Sequence, residues 1–140
     1  MTFLLDTNVL SELMSVQPSP QVAAWVSAQA PDQLLTAAVC QAEVLAGLAV
    51  LPEGHRRSAL TRAAHAMFRE DFAERILPFD TGTAEAYADL FASRRRSGRP
   101  VATVDLMISA IARVHRATVV TRNVADFDGC DVPVVNPWTL

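Results

Sequence analysis

Phe3-Leu4-Leu5-Asp6-Thr7-Asn8-Val9-Leu10-Ser11-Glu12 passes from a short apolar run straight into an acid and then into helical spacing. Three apolar residues in a row read as a short strand. We place this strand over residues 2–5 and a short helix over 9–14, with Asp6 at the junction. The same order recurs downstream. Residues 33–36 read as a second strand, followed by a strongly apolar helix over 38–51 that Pro52 closes. Residues 118–121 read as a buried strand, preceded by the most apolar helix of the chain over 102–115, and residues 132–135 as the last strand. Short apolar runs alternating with helical stretches give an α/β fold whose parallel strands are joined by crossover helices.

The remaining segments fill in around this frame. Ser19 stands as an N-cap with Pro20 at the first helical position, where its missing N–H costs nothing. Residues 56–72 form an amphipathic helix with Leu60, Ala63, Ala64, Met67 and Phe68 on one side. Ile76-Leu77-Pro78-Phe79 is a short strand or an extended link, and Thr81 or Thr83 caps a helix running through Ser93. No repeat, linker or low-complexity stretch interrupts residues 1–140, which reads as a single domain.

Composition narrows the chemistry. With 51% hydrophobic and 19% charged residues the chain can bury a core and is not a disordered tail. No apolar stretch reaches the roughly 18 residues that span a bilayer, and no basic segment precedes the first strand, so neither membrane insertion nor secretion is expected. Cys40 and Cys130 lack metal or redox spacing and read as reduced thiols of a cytoplasmic protein. A net charge of −3 argues against general coating of nucleic acid, though local cations remain available. All twelve basic residues are arginine. Without lysine there is no Walker A loop, Schiff base or lysine general base.

Three acids stand out. Asp6 ends the first strand, Glu43 lies in Ala37-Ala38-Val39-Cys40-Gln41-Ala42-Glu43-Val44-Leu45, and Asp105 interrupts Val101-Ala102-Thr103-Val104-Asp105-Leu106-Met107-Ile108. Each has a plain reading. Asp6 is a helix cap, Glu43 is a solvated helix face, and Asp105 is a cap if its helix starts there. Glu43 has apolar neighbours that leave no obvious solvent-facing position, and a buried Asp without a partner is rare. In an open parallel sheet the three would meet outside the carboxyl ends of the strands, where ligands gather. Two carboxylates about 4 Å apart repel by roughly 4 kcal/mol at an effective dielectric near 20. A cation or shared protons must offset that repulsion. Oxygen-only ligands select Mg²⁺ or Mn²⁺ over zinc. His55, His65 and His115 fall in arginine-flanked helical stretches and read as surface residues.

The opening Leu4-Leu5-Asp6-Thr7-Asn8-Val9-Leu10-Ser11-Glu12, Glu43, Ala102-Thr103-Val104-Asp105-Leu106-Met107-Ile108-Ser109-Ala110, Val119-Val120-Thr121-Arg122-Asn123-Val124-Ala125-Asp126-Phe127 and the closing Val134-Val135-Asn136-Pro137-Trp138 follow one another in fixed order. In this order they resemble the PIN-domain toxins of the VapC type over essentially the whole chain. The resemblance implies a three-layer sandwich, with a parallel sheet of about five strands flanked by helices. It implies a Mg²⁺-dependent endoribonuclease, Mn²⁺ being the alternative ion, that a cognate antitoxin protein neutralises. It further implies a homodimer and a larger assembly on DNA through the antitoxin. Asp6, Glu43 and Asp105 occupy the family's first three acidic positions. The fourth, often Asp, is Asn123 here; Asp126 reaches the pocket if its segment forms a helical turn, and otherwise caps Phe127. One charge fewer would hold a second ion less firmly. The departure also leaves open a catalytically weak PIN module that acts as a regulatory binding protein.

On that implication Asp6 and Asp105 hold the ion, which polarises the scissile phosphate and acidifies a coordinated water; Glu43 orients that water or completes the ion's outer shell, and Asn123 offers a neutral oxygen that orients water or metal. Thr7, Asn8 and Thr121 support the acids by hydrogen bonds, though Asn8 also reads as a cap of the first helix. RNA phosphates fall to Arg122 and to the cluster Arg94-Arg95-Arg96 with Arg99, which alternatively is a favourable helix C-terminus. Trp25 and Trp138 read as core or interface residues. A basic antitoxin side chain among the acids is the expected plug. An apolar antitoxin helix would lie in a groove lined by Val9, Leu10, Leu13, Met14, Leu48 and Leu51, unless these simply form core.

Overall fold

The computed structural model describes residues 1–140 and begins with the expected strand, β1 (Phe3–Leu5), which runs into α1 (Thr7–Met14). There follow α2 (Pro20–Ser27), β2 (Leu34–Ala37), α3 (Ala38–Ala49), α4 (His55–Ala66), β3 (Ile76–Leu77), α5 (Thr81–Arg96), α6 (Thr103–His115), β4 (Thr118–Val120) and β5 (Val134–Val135). The strands form one parallel sheet in the order β3-β2-β1-β4-β5. In register, Leu4 faces Leu35 on one side and Val119 on the other, and Leu5 faces Val120. The carboxyl ends of the two central strands are therefore level. All residues of β1 and β4 are buried, as expected for strands covered on both faces.

The core joins Leu4, Leu5, Val119 and Val120 of the sheet to Val9, Leu10, Val22, Val44, Ile108 and Ile111 of the helices. Each such side chain contributes about 1.5–3 kcal/mol on burial. Val9, Leu10 and Leu48, expected to line a groove, belong instead to this core. A smaller cluster of Leu90, Leu106, Ala110 and Cys130 pins α5 to α6 and to the turn after β4.

Local chemistry moves several expected boundaries. The cap of α5 is Asp80, not Thr81 or Thr83. Its Oδ1 accepts from the Thr83 N–H at 3.0 Å and the Thr83 hydroxyl at 2.8 Å, bonds that hold its carboxyl below the usual range. That helix extends through all three consecutive arginines to Arg96. Asp105 is not a cap either, because α6 starts two residues earlier and Ala102 takes the cap position. Ser19 holds the cap position of α2, but its hydroxyl makes no cap bond; its N–H donates to Glu12 Oε2 at 3.1 Å. The amphipathic segment after α4 ends in a π-turn, Met67–Asp71, which lets Met67, Phe68 and Phe72 all reach the core. No helix is long and apolar enough to cross a membrane.

Candidate active site

Asp6 is the hub. It is only 5% exposed and caps α1 at the carboxyl end of β1. Its Oδ1 accepts the Thr7 N–H at 2.8 Å, and its Oδ2 accepts the Thr121 hydroxyl at 2.8 Å and the Asn8 amide at 3.3 Å. The cap and site readings thus fall on one side chain, and Asn8 is not the cap. Thr121, fully buried at the end of β4, also accepts from Asn8 Nδ2 and from the Asn123 N–H, both at 3.1 Å. Asn8 Oδ1 then accepts the Arg122 N–H at 3.1 Å. This network straps the ends of β1 and β4 together around one carboxylate. Burial raises the Asp6 carboxyl above its ordinary range, the Thr121 and Thr7 bonds oppose that rise, and the charges of Glu43 and Asp126 add to it.

Glu43 stands in α3 and is exposed, contrary to the expectation from its apolar neighbours. Cys40, Val44 and Leu48 form the buried stripe of α3 at i, i+4 and i+8, and Glu43 falls beside it. Its Oε1 accepts the Thr7 hydroxyl at 2.5 Å, which ties it to the residue after Asp6. Asp105 is the third residue of α6 and half-buried. Desolvation raises its carboxyl to about 6, helped by the charges of Asp6, Asp126 and Glu43, and no hydrogen bond opposes the rise. Asp6 is thus held by donors, whereas Asp105 presents a carboxylate that the protein leaves unmet.

Asp126 lies on a 3-10 turn, Val124–Phe127, whose cap position belongs to Asn123. Its charge acts on both Asp6 and Asp105, so the turn brings it to the acids. Asn123 is exposed and engages the network through its N–H.

A cavity of about 280 Å³ adjoins Asp105 and Asp126, with Arg94, Arg99 and Asp128 also on its wall. Arg99 is where the sequence suggested a cation. Of the arginine cluster, Arg94 joins Arg99 on this wall, and Arg96 does not. Arg94 follows Leu90 by four residues, so it shares the packed face of α5. Its guanidinium donates to the carbonyls of Arg99 at 3.1 Å and Gly129 at 3.4 Å. Gly129 has φ +75°, and a Cβ there would lie 1.9 Å from Arg94 Nη1. The left-handed φ favours glycine here, and a Cβ would displace the Arg94 guanidinium from the Gly129 carbonyl. On the other side of Asp6, the Arg122 guanidinium lies 5.1 Å from the centre of the Trp138 ring.

The donors available to an ion are carboxylate oxygens. No three His, Cys, Asp or Glu side chains converge closely enough to encage one. An oxygen-only donor set does not suit zinc and is compatible with a small hard ion that takes one or two carboxylates and completes its shell with water. Asp105 and Asp6 are carboxylates that could hold such an ion.

The model of the PIN domain family matches residues 3–129. The chain belongs to the PIN domain family. It is 37% identical over 135 residues to the VapC ribonuclease Y4jK of Sinorhizobium fredii, covering 96% of each chain. It is equally 37% identical over 135 residues to the toxin FitB of Neisseria gonorrhoeae, covering 96% of this chain and 97% of that one. A solved structure of FitAB bound to an IR36 DNA fragment superposes with a TM-score of 0.92 at 37% identity, covering 99% of this chain and 97% of that one. The fold is therefore the PIN-like α/β sandwich, and its candidate active site is the group of acids around Asp6.

Proposed function

We propose that this PIN domain is a Mg²⁺-dependent endoribonuclease, the toxin of a toxin–antitoxin pair in the cytoplasm, with Mn²⁺ able to substitute. The observation that carries the reading is the gathering of acids at the carboxyl end of a PIN-fold sheet, where the charges of Asp6, Asp126 and Glu43 act on Asp105 in addition to its desolvation. A divalent cation would offset the mutual repulsion of those charges. When bound, that cation supplies positive charge to the scissile phosphate and makes an attacking water more acidic.

The chain's own residues do the rest. Asp105, free of protein donors, and Asp6, oriented by Thr121, Asn8 and Thr7, hold the ion. Glu43, fixed by the Thr7 hydroxyl, orients the water and accepts its proton. Arg122 on one side and Arg99 with Arg94 on the other take the flanking RNA phosphates. Arg96, at the exposed end of α5, serves at most as an outer phosphate contact. Asp126 supplies the fourth negative charge that Asn123 does not. This favours an active nuclease over a weak or inactive module that acts only through its partner.

An antitoxin protein is the proposed partner, in keeping with the toxin name of FitB and the FitAB complex on DNA. A cavity of about 600 Å³ between α1, α2 and the π-turn, walled by Leu13, Met14, Val26 and Phe72 with Glu70, Asp71 and Arg75 also on its wall, suits an amphipathic helix. A basic antitoxin side chain would occupy the acids and compete with the ion. The functional unit is proposed as a homodimer, carried on DNA through the antitoxin. The test is incubation of antitoxin-free protein with structured RNAs in Mg²⁺ or in EDTA. Cleavage in Mg²⁺ alone, absent in Asp105→Asn and reduced in Asp126→Asn, is expected. Cleavage in EDTA, or by Asp105→Asn, contradicts the proposal.

A further inference from the structure

Arg122 is two things at once. Its N–H is bonded to Asn8 Oδ1, which belongs to the Asp6–Thr121 network, so its backbone cannot move without disturbing the acids. Its side chain leaves that backbone exposed and would sample many rotamers but for one contact, the face of Trp138 at 5.1 Å. Trp138 is itself fixed. It packs half-buried against the main core after buried Pro137, and its N–H donates to Asn136 Oδ1 at 2.9 Å. Asn136 Nδ2 reaches back to the Arg122 carbonyl at 3.4 Å, and Thr121 N–H bonds the Val135 carbonyl at 2.9 Å. The segment after β5 is thus sewn to residues 121–122 at three points: through Val135, through Asn136 and through the Trp138 ring.

We infer that Trp138 is a positioning residue for RNA cleavage, whose ring holds the Arg122 guanidinium at the rim of the acid site to receive a phosphate flanking the scissile one. The inference rests on the nuclease reading above and assigns to the C-terminal segment a role that packing alone does not require. An aromatic face attracts a guanidinium through its quadrupole and leaves the N–H edges free. The forked edge can then meet a phosphate without first losing side-chain freedom. Trp138 acts through Arg122 and touches no reacting atom, so it belongs to substrate binding rather than to the chemical step.

The experiment is a double-mutant cycle on the full chain with a short RNA that the wild type cleaves in Mg²⁺. Arg122→Ala is expected to raise KM about tenfold, Trp138→Leu about threefold with kcat within about twofold, and the double variant no more than Arg122→Ala alone. Trp138→Phe, which keeps an aromatic face and most of the packing, restores at least half of the loss. A second readout does not depend on cleavage. In a Trp25→Phe background the emission of Trp138 should shift when the RNA is titrated in EDTA, and not when Arg122 is also alanine. Full additivity in the cycle, a threefold loss confined to kcat, or an emission shift that survives Arg122→Ala each overturns the role of Trp138 while leaving the nuclease reading intact. A wild type that neither binds nor cleaves RNA overturns both.

Discussion

Replacing Asp105 by asparagine should stabilise the metal-free protein while abolishing its activity. The carboxyl is raised from 3.8 to about 6, first by desolvation and then by Asp6, Asp126 and Glu43. At 1.36 kcal/mol for each pH unit that rise corresponds to at most about 3 kcal/mol against the ionised form. The group is half-exposed, so solvent screening leaves about 1 kcal/mol. Because the folded value lies above the unfolded one, the sign is fixed. The contribution of Asp105 to stability is fully present below about pH 4 and is lost as pH rises through about 6. Asparagine keeps the shape without the charge, so the variant should melt about 3 °C above the wild type at pH 7.5 in EDTA. The gap should close at pH 4. Adding Mg²⁺ should reverse the order, since an ion bound only by the folded wild type stabilises it by mass action. Calorimetry at the two pH values, with and without Mg²⁺, reads all of this. A variant that melts below the wild type at pH 7.5 in EDTA would refute the reasoning and make Asp105 a structural partner.

Thr121→Val removes the hydroxyl that donates to Asp6 Oδ2 inside the core. It should cost about 1–3 kcal/mol by chemical denaturation and lower cleavage at neutral pH at least tenfold. Gly129→Ala places a Cβ at a left-handed turn and displaces the Arg94 guanidinium; it should cost about 1–2 kcal/mol, nearly all of which persists in an Arg94→Ala background, and weaken RNA binding only where Arg94 is present. Cys40 is buried beside Asp6, and desolvation pushes its thiol up to about 12. Iodoacetamide should leave it unmodified in the native protein at pH 8 and alkylate it on unfolding, as mass spectrometry would show.

How far the sequence announced this structure depends on the kind of signal. The strand ending at Asp6 was legible because an apolar run with no alternation admits few other readings, and the parallel sheet followed from its repetition. The strand-end positions of Asp6 and Thr121 carried their hydrogen bonding with them. The apolar neighbours of Glu43 point to burial, but helical angle decides: Cys40, Val44 and Leu48 define the buried stripe, and Glu43 falls on the solvated face beside it. Two threonines beside Asp80 mask it as the cap, although its carboxylate accepts two bonds from one of them. Arg94 could have been separated from Arg96 by its spacing from Leu90. Its partnership with Gly129 spans 35 residues and leaves no local trace beyond an Asp-Gly turn. The meeting of Trp138 with Arg122 likewise depends on β5 pairing with β4, a tertiary fact.

The most direct test of the central claim is anomalous diffraction from crystals of the antitoxin-free protein soaked in Mn²⁺. The account predicts one strong peak about 2.0–2.3 Å from carboxylate oxygens of both Asp105 and Asp6, its other positions filled by water, and no peak in Asp105→Asn crystals. A peak elsewhere in the molecule, or none at a concentration that supports RNA cleavage, would contradict it.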